Sequence, residues 1–174
     1  MRAAVARRPL YRDLVTVWLD TGMRRRELLD LEWSEVDIPN ARINLKPSRE
    51  KPKKGRVIPL TTLALNTLLA QKRYPTSPFV FTNPKTLKAY VAPNQMWIKI
   101  RTETGLPNAR IHDLRHTLAT HLRHRGVAKE DRMDLLGHSS EDVHGSYAEK
   151  SIDILREILE KHSPNTLPAH GTKK

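Results

Sequence analysis

"HDLRHTLATHLRHRG", residues 112–126, is the stretch on which the reading of the chain turns. Leu114, Leu118 and Leu122 recur every four residues, the spacing of one buried helical stripe, and Gly126 closes the run. His112, Arg115 and Ala119 fall on the neighbouring side. The spacing predicts that this histidine and arginine project together from the rim of a packed helix, near its N-terminus. Unpaired backbone N–H groups at such an end favour an anion. Arginine adds a planar fork matched to phosphate oxygens, and histidine adds a donor near neutral pH. By itself the segment leaves other readings open. His112 and His116 stand at i, i+4 like paired zinc ligands, but "HDLRH" lacks the glutamate of H-E-x-x-H and sets an arginine between them. A solvated charged face is the plainer alternative.

Charge favours the anion. The 174 residues carry 31 Lys and Arg against 19 Asp and Glu, a formal net charge of +12. The isoelectric point is near 10.2. Such an excess sets up a field that attracts polyanions, and a nucleic acid is the expected partner. The basic residues cluster at 23–26, 49–56 and 121–126, a spread that suits a wide binding face better than a detachable tail. With 38% apolar residues and only 7 glycines the chain should fold, and its length suits one domain. No run of 18 apolar residues reads as a membrane span, and no leader reads as a secretory signal. The absence of cysteine removes disulfides and thiolate metal sites, and permits a reducing cytoplasm.

Outward from the central helix, periodicity predicts a mainly α fold with a small antiparallel β-sheet, of the α+β class. Residues 9–21 place Leu10, Leu14, Val17 and Trp18 on one stripe behind Pro9, and Gly22 breaks that helix. A short helix follows in "RRRELLDLEW", with Leu28, Leu29 and Leu31 inward, and "SEVDIPN" reads as turns. "ARINL" and "GRVIPL" alternate like strands around a polar loop, giving a hairpin or three-stranded sheet with a basic tip. Residues 61–74 read as a helix capped by Thr61 or Thr62, 79–81 as one edge strand, and 93–105 as a helix ended by Gly105. Short helical pieces are expected near 129–136 and 140–147. A last amphipathic helix spans 151–161, with Ile152, Leu155 and Ile158 or Leu159 on its stripe. Residues 1–162 then form a single domain, and 163–174 have the composition of a flexible tail.

Two further stretches change the weight of the first: "TGMRRRELLDLEW" (21–33) and "LLGHSSEDVHGSY" (135–147). With them the chain resembles the catalytic domain of the tyrosine recombinases, the phage integrase family. The family's marks are T-G-x-R-x-x-E-L, a basic hairpin ending in proline, H-x-L-R-H-T, L-G-H, and a tyrosine nine residues beyond that histidine. All occur here in order across about residues 10 to 160. Each is weak alone. The resemblance implies a DNA breaking-and-rejoining fold in which Arg24, His112, Arg115 and His138 surround the scissile phosphate, with Glu27 supporting Arg24 and Tyr147 as nucleophile. Counting eight places back from Pro59 makes Lys51 the general acid, although Pro52 departs from the small residue expected beside it and Lys53 and Lys54 crowd the same loop. The resemblance makes double-stranded DNA the partner, and Arg25, Arg26, Lys53, Lys54 and Arg56 are its expected contacts.

The implied chemistry is transesterification through a 3′-phosphotyrosine, with no cofactor and no metal. Arginines, lysine and histidines would carry the charge that Asp and Glu clusters give to Mg²⁺ in other nucleases. Each residue also has an ordinary reading, such as a surface arginine, a weak i, i+3 ion pair or a half-buried tyrosine. A non-catalytic DNA-binding module of the same fold and a type IB topoisomerase-like relaxing activity are the alternatives. Full-length relatives carry an N-terminal core-binding domain. Only "MRAAVARR" precedes the catalytic motifs here, so that domain is expected to be absent from this chain. The family also implies a monomer without DNA and a homo-tetramer in synapsis, linked through the helix at 151–161. The site of action would be the cytoplasm of a bacterium, at the nucleoid, with the gene bacterial or phage-borne.

Overall fold

Leu14, Val17 and Trp18 line one side of the first helix, α1 (Pro9–Thr21), and all three are buried. The structure, a computed structural model, describes residues 9–47, 55–90, 94–137 and 147–165. Pro9 stands in the first turn, where its missing N–H costs nothing. The helix ends at Gly22, whose φ is +57°. Trp18 folds back over that end and donates Nε1–H to the Met23 carbonyl at 2.6 Å. A short helix α2 (Arg25–Leu29) follows at once and turns Leu28 and Leu29 into the same core.

The segment expected as turns holds more structure: a 3₁₀ turn (Trp33–Glu35) leads into β1 (Val36–Asp37). With β2 (Arg42–Leu45) and β3 (Arg56–Pro59) it makes an antiparallel sheet in the order β1-β2-β3. Ile43 faces Ile58 across the central pair, and both are buried. Helix α3 (Thr62–Leu69) is capped by Thr61, whose hydroxyl accepts the Ala64 N–H at 3.0 Å, and it ends five residues earlier than the pattern suggested. Residues 79–81 form no strand. Phe79 and Thr82 make isolated bridges to Glu32 and Ala89, while Val80 and Phe81 fill the core instead.

Four helices complete the described chain: α4 (Asn94–Glu103), α5 (Asp113–His124), α6 (Lys129–Leu136) and α7 (Tyr147–His162). The helical piece expected at 140–147 lies outside the described residues apart from Tyr147. One core cluster joins α1, α2, the sheet, α3, Trp97 of α4 and Leu114 of α5. A second joins Leu118 and Leu122 of α5, Leu135 and Leu136 of α6, and Leu155 and Leu159 of α7. Each of these fully buried leucines stabilises the fold by about 2 kcal/mol. The α7 stripe is thus filled by its own chain. Polar ties hold the same helix: Arg156 donates to the Asn40 carbonyl at 2.5 Å, and Glu160 accepts the Thr62 hydroxyl at 2.7 Å.

Residues 163–165 are not part of a tail. Ser163 and Pro164 are buried, and Asn165 donates from its amide to the Thr16 carbonyl at 3.0 Å and to Asp20 at 2.7 Å. Asp20 is itself buried, and it also accepts the hydroxyls of Thr61 and Ser163. Burial raises its pKa against the pull of those three donors. Residues 163–165 therefore belong to the packed domain, which a polar, proline-containing composition did not disclose. Among the described residues no helix is long and apolar enough to cross a membrane.

Candidate active site

Arg24 caps α2 from an extended backbone, which leaves its N–H free for a side-chain acceptor. Glu27, one turn later, supplies it. Glu27 Oε2 accepts the Arg24 N–H at 2.7 Å, and Oε1 accepts Arg24 Nη1 at 2.8 Å. Glu27 therefore holds Arg24 twice, through backbone and through charge. Arg56 of β3 grips the same carboxylate from the sheet, Nη1 to Oε1 at 3.0 Å and Nη2 to Oε2 at 2.9 Å. Burial works to raise the Glu27 pKa, but Arg56 and then the Arg24 contacts outweigh it, and the group lies below the ordinary glutamate range.

Arg115 departs from expectation. It was expected to project with His112 from the helix rim. Instead its residue is 5% exposed while His112 is exposed. Nη1 donates to the Gly22 carbonyl at 2.5 Å, and Nη2 donates to the Leu136 carbonyl. A position beside the leucine stripe can turn inward when neighbouring chain ends offer oxygen acceptors, and here α1 and α6 each end in one. Burial lowers the Arg115 pKa to about 10, with Arg56 and Arg24 adding to that effect and Glu27 opposing it. Three guanidiniums thus sit within electrostatic reach of one another around Glu27.

The helix N-terminus is also not the open anion site the spacing suggested. The N–H groups of Asp113 and Arg115 bond to the carbonyls of Arg110 and His112 at 3.0 and 3.2 Å, and Asp113 turns back to accept the Arg110 N–H at 2.7 Å. His112 stacks edge-on against His116 with ring centroids 5.1 Å apart. Partial desolvation of its ring, then His116 and Arg115, lower its pKa below the ordinary value, with Asp113 opposing.

Of the other expected residues, Arg25 is half-buried, and Arg26 is exposed with Asp30 3.7 Å away. Tyr147 is the first residue of α7. The side chain of Tyr147, and the residues Lys51, Lys53, Lys54 and His138, lie outside the described part of the structure. Two participants escaped sequence reasoning: the carbonyls of Gly22 and Leu136. Each stands within a motif already noticed, in "TG" before Arg24 and in "LG" before His138. Those letters hold Arg115 in place.

The sequence model of the phage integrase family matches residues 5–152. Tyrosine recombinase XerA of Pyrococcus horikoshii is 30% identical over 146 residues, covering 80% of this chain and 50% of the relative. The integrase of Salmonella phage P22 is 26% identical over 157 residues, covering 84% of this chain and 41% of the relative. Among solved structures, the crystal structure of XerA recombinase shares the fold with a TM-score of 0.64 at 21% identity, covering 87% of this chain and 60% of that one. The chain belongs to the phage integrase family. It spans about half the length of the curated relatives it matches.

Proposed function

We propose that this chain is the catalytic domain of a site-specific DNA recombinase, cutting and rejoining strands through a 3′-phosphotyrosine. Arg24 and Arg115 hold the nonbridging oxygens of the scissile phosphate, His138 adds a donor, and His112 accepts the phenolic proton. The Tyr147 oxygen bonds to phosphorus as the bond from phosphorus to the 5′-oxygen breaks. Lys51 gives that leaving oxygen its proton. A second 5′-hydroxyl reverses the exchange on another strand, so each step trades one ester for another. Losing one donor to the crowded transition state costs about 3–4 kcal/mol. The phenol's unperturbed pKa near ~10 means that cationic neighbours are needed to activate it at neutral pH.

The observation that carries the reading is a cluster of three arginines, two of them gripping the Glu27 carboxylate and the third, Arg115, seated on the carbonyls of Gly22 and Leu136. A decayed binding module has no need to keep several guanidiniums crowded in a half-buried site, where each disfavours the next. This domain reaches residue 165, Arg25, Arg26, Lys53 and Lys54 track the duplex backbone, and the chain acts at the nucleoid. Tetramers linked through 151–161 would require α7 to exchange between copies, because its stripe is filled within the chain.

The test uses a pool of duplexes nicked near a randomised centre, in EDTA. Wild type forms a DNA adduct that survives denaturing gels, and Tyr147→Phe forms none. An adduct that persists in Tyr147→Phe, or none with wild type, overturns the reading. Relaxation of any supercoiled plasmid without a preferred sequence would favour the topoisomerase-like alternative.

A further inference from the structure

Arg56 follows the basic run of the hairpin, where it reads as one more backbone-binding cation. The structure turns it inward. Both terminal nitrogens donate to Glu27, its side chain is 17% exposed, and its Nε is buried with no hydrogen-bond partner among the described residues. On its other side lies the left-handed turn at Gly137. A Cβ at that position would come within 2.6 Å of Arg56 Cδ and 2.9 Å of Nε. Only glycine lets the chain pass so close, so Arg56 is clasped between Glu27 and the turn that leads to His138.

That geometry gives Arg56 a task distinct from binding DNA. A carboxylate held by one arginine can rotate about its last bond. Glu27 is gripped at both oxygens by a planar fork, which fixes its plane and hence the direction of the Arg24 guanidinium. Resting on the recombinase reading above, we propose that Arg56 is a positioning residue. It locks Glu27 so that Arg24 is aimed at the scissile phosphate, and it makes no phosphate contact of its own.

Two readouts test this. The first is the salt dependence of duplex binding, where each lost phosphate contact flattens the log–log slope by about 0.9. Arg56→Gln should leave that slope at the wild-type value. The second is single-turnover adduct formation at saturating DNA, where misaiming should slow Arg56→Gln on the order of 10²-fold. Adding Glu27→Gln should then slow it no further, because both changes break one device. Arg56→Lys keeps the charge but not the fork and should be as slow as Arg56→Gln. It also carries both readouts if thermal melting shows that Arg56→Gln does not fold. A flattened salt slope, multiplying penalties with Glu27→Gln, or a wild-type rate in Arg56→Lys each overturn the proposal. A wild-type chain that forms no adduct overturns the recombinase reading separately, and the salt slope then still decides between a buried positioning arginine and a phosphate contact.

Discussion

Gly22→Ala probes the joint on which the site rests. Gly22 ends α1 at φ +57°, and a Cβ there would stand 2.8 Å from Leu136 Cδ2 and 2.9 Å from Leu118 Cδ2. Holding an L-residue in the left-handed region costs about 1–2 kcal/mol. The stiffer unfolded chain offsets about 0.4–1 kcal/mol of that. Forcing a methyl against two buried leucines adds about 1–3 kcal/mol, so the net loss should be about 2–4 kcal/mol. For a chain of this size that lowers the melting temperature by about 5–15 °C. Gly105→Ala is the control, because Gly105 has φ +67° and no described residue comes within 4 Å of its Cβ position. It keeps the strain and drops the collision, for a loss nearer ~1 kcal/mol. Urea denaturation of the three proteins measures the difference through the midpoint at constant slope. If Gly22→Ala is no less stable than Gly105→Ala, the packing described between α1, α5 and α6 is wrong. Because the Gly22 carbonyl accepts Arg115, the same variant should also slow adduct formation.

Two more outcomes follow from charge. Glu27 has a folded pKa below the ordinary value of 4.5, so its contribution to stability is fully present above that pH and fades as pH falls through the folded value. The stability gap between wild type and Glu27→Gln should therefore be flat above pH ~5 and narrow below 4.5; a gap that does not change with pH refutes it. His112 should titrate below 6.5 in an NMR pH series, leaving it neutral and able to accept a proton at pH 7. Its midpoint should rise in His116→Ala, and a wild-type midpoint above 6.5 would contradict the partial desolvation and cationic neighbours described for it.

Much of the frame was legible because the core is made of leucine and isoleucine at regular spacing. Leu114, Leu118 and Leu122 fix α5, Leu155 and Leu159 fix α7, and the alternation around Ile43 and Ile58 fixes the hairpin. The pairing of Arg24 with Glu27 was legible too, since three residues bring them together at a helix start. The misses share a cause. Spacing gives an angle around one helix but not what a distant segment places opposite, and so Arg115 read as a rim residue. Its acceptors come from residues 22 and 136. The grip of Arg56 on Glu27 was not legible for the same reason, since the two lie 29 positions apart. Likewise Ser163 and Asn165 read as tail because Asp20, which anchors them, is at the other end of the chain.

The claim on which the mechanism stands is that guanidinium charge answers the charge of the scissile phosphate. Arg24→Ala tests it on two matched duplexes, one natural and one with an uncharged methylphosphonate at the cleaved position selected from the nicked pool. On the natural duplex the variant should form adduct about 10²–10³-fold more slowly than wild type. On the methylphosphonate, where there is no anion left to neutralise, its deficit should shrink to about tenfold or less, since that loss is mostly charge stabilisation. An equal deficit on both duplexes would contradict the claim.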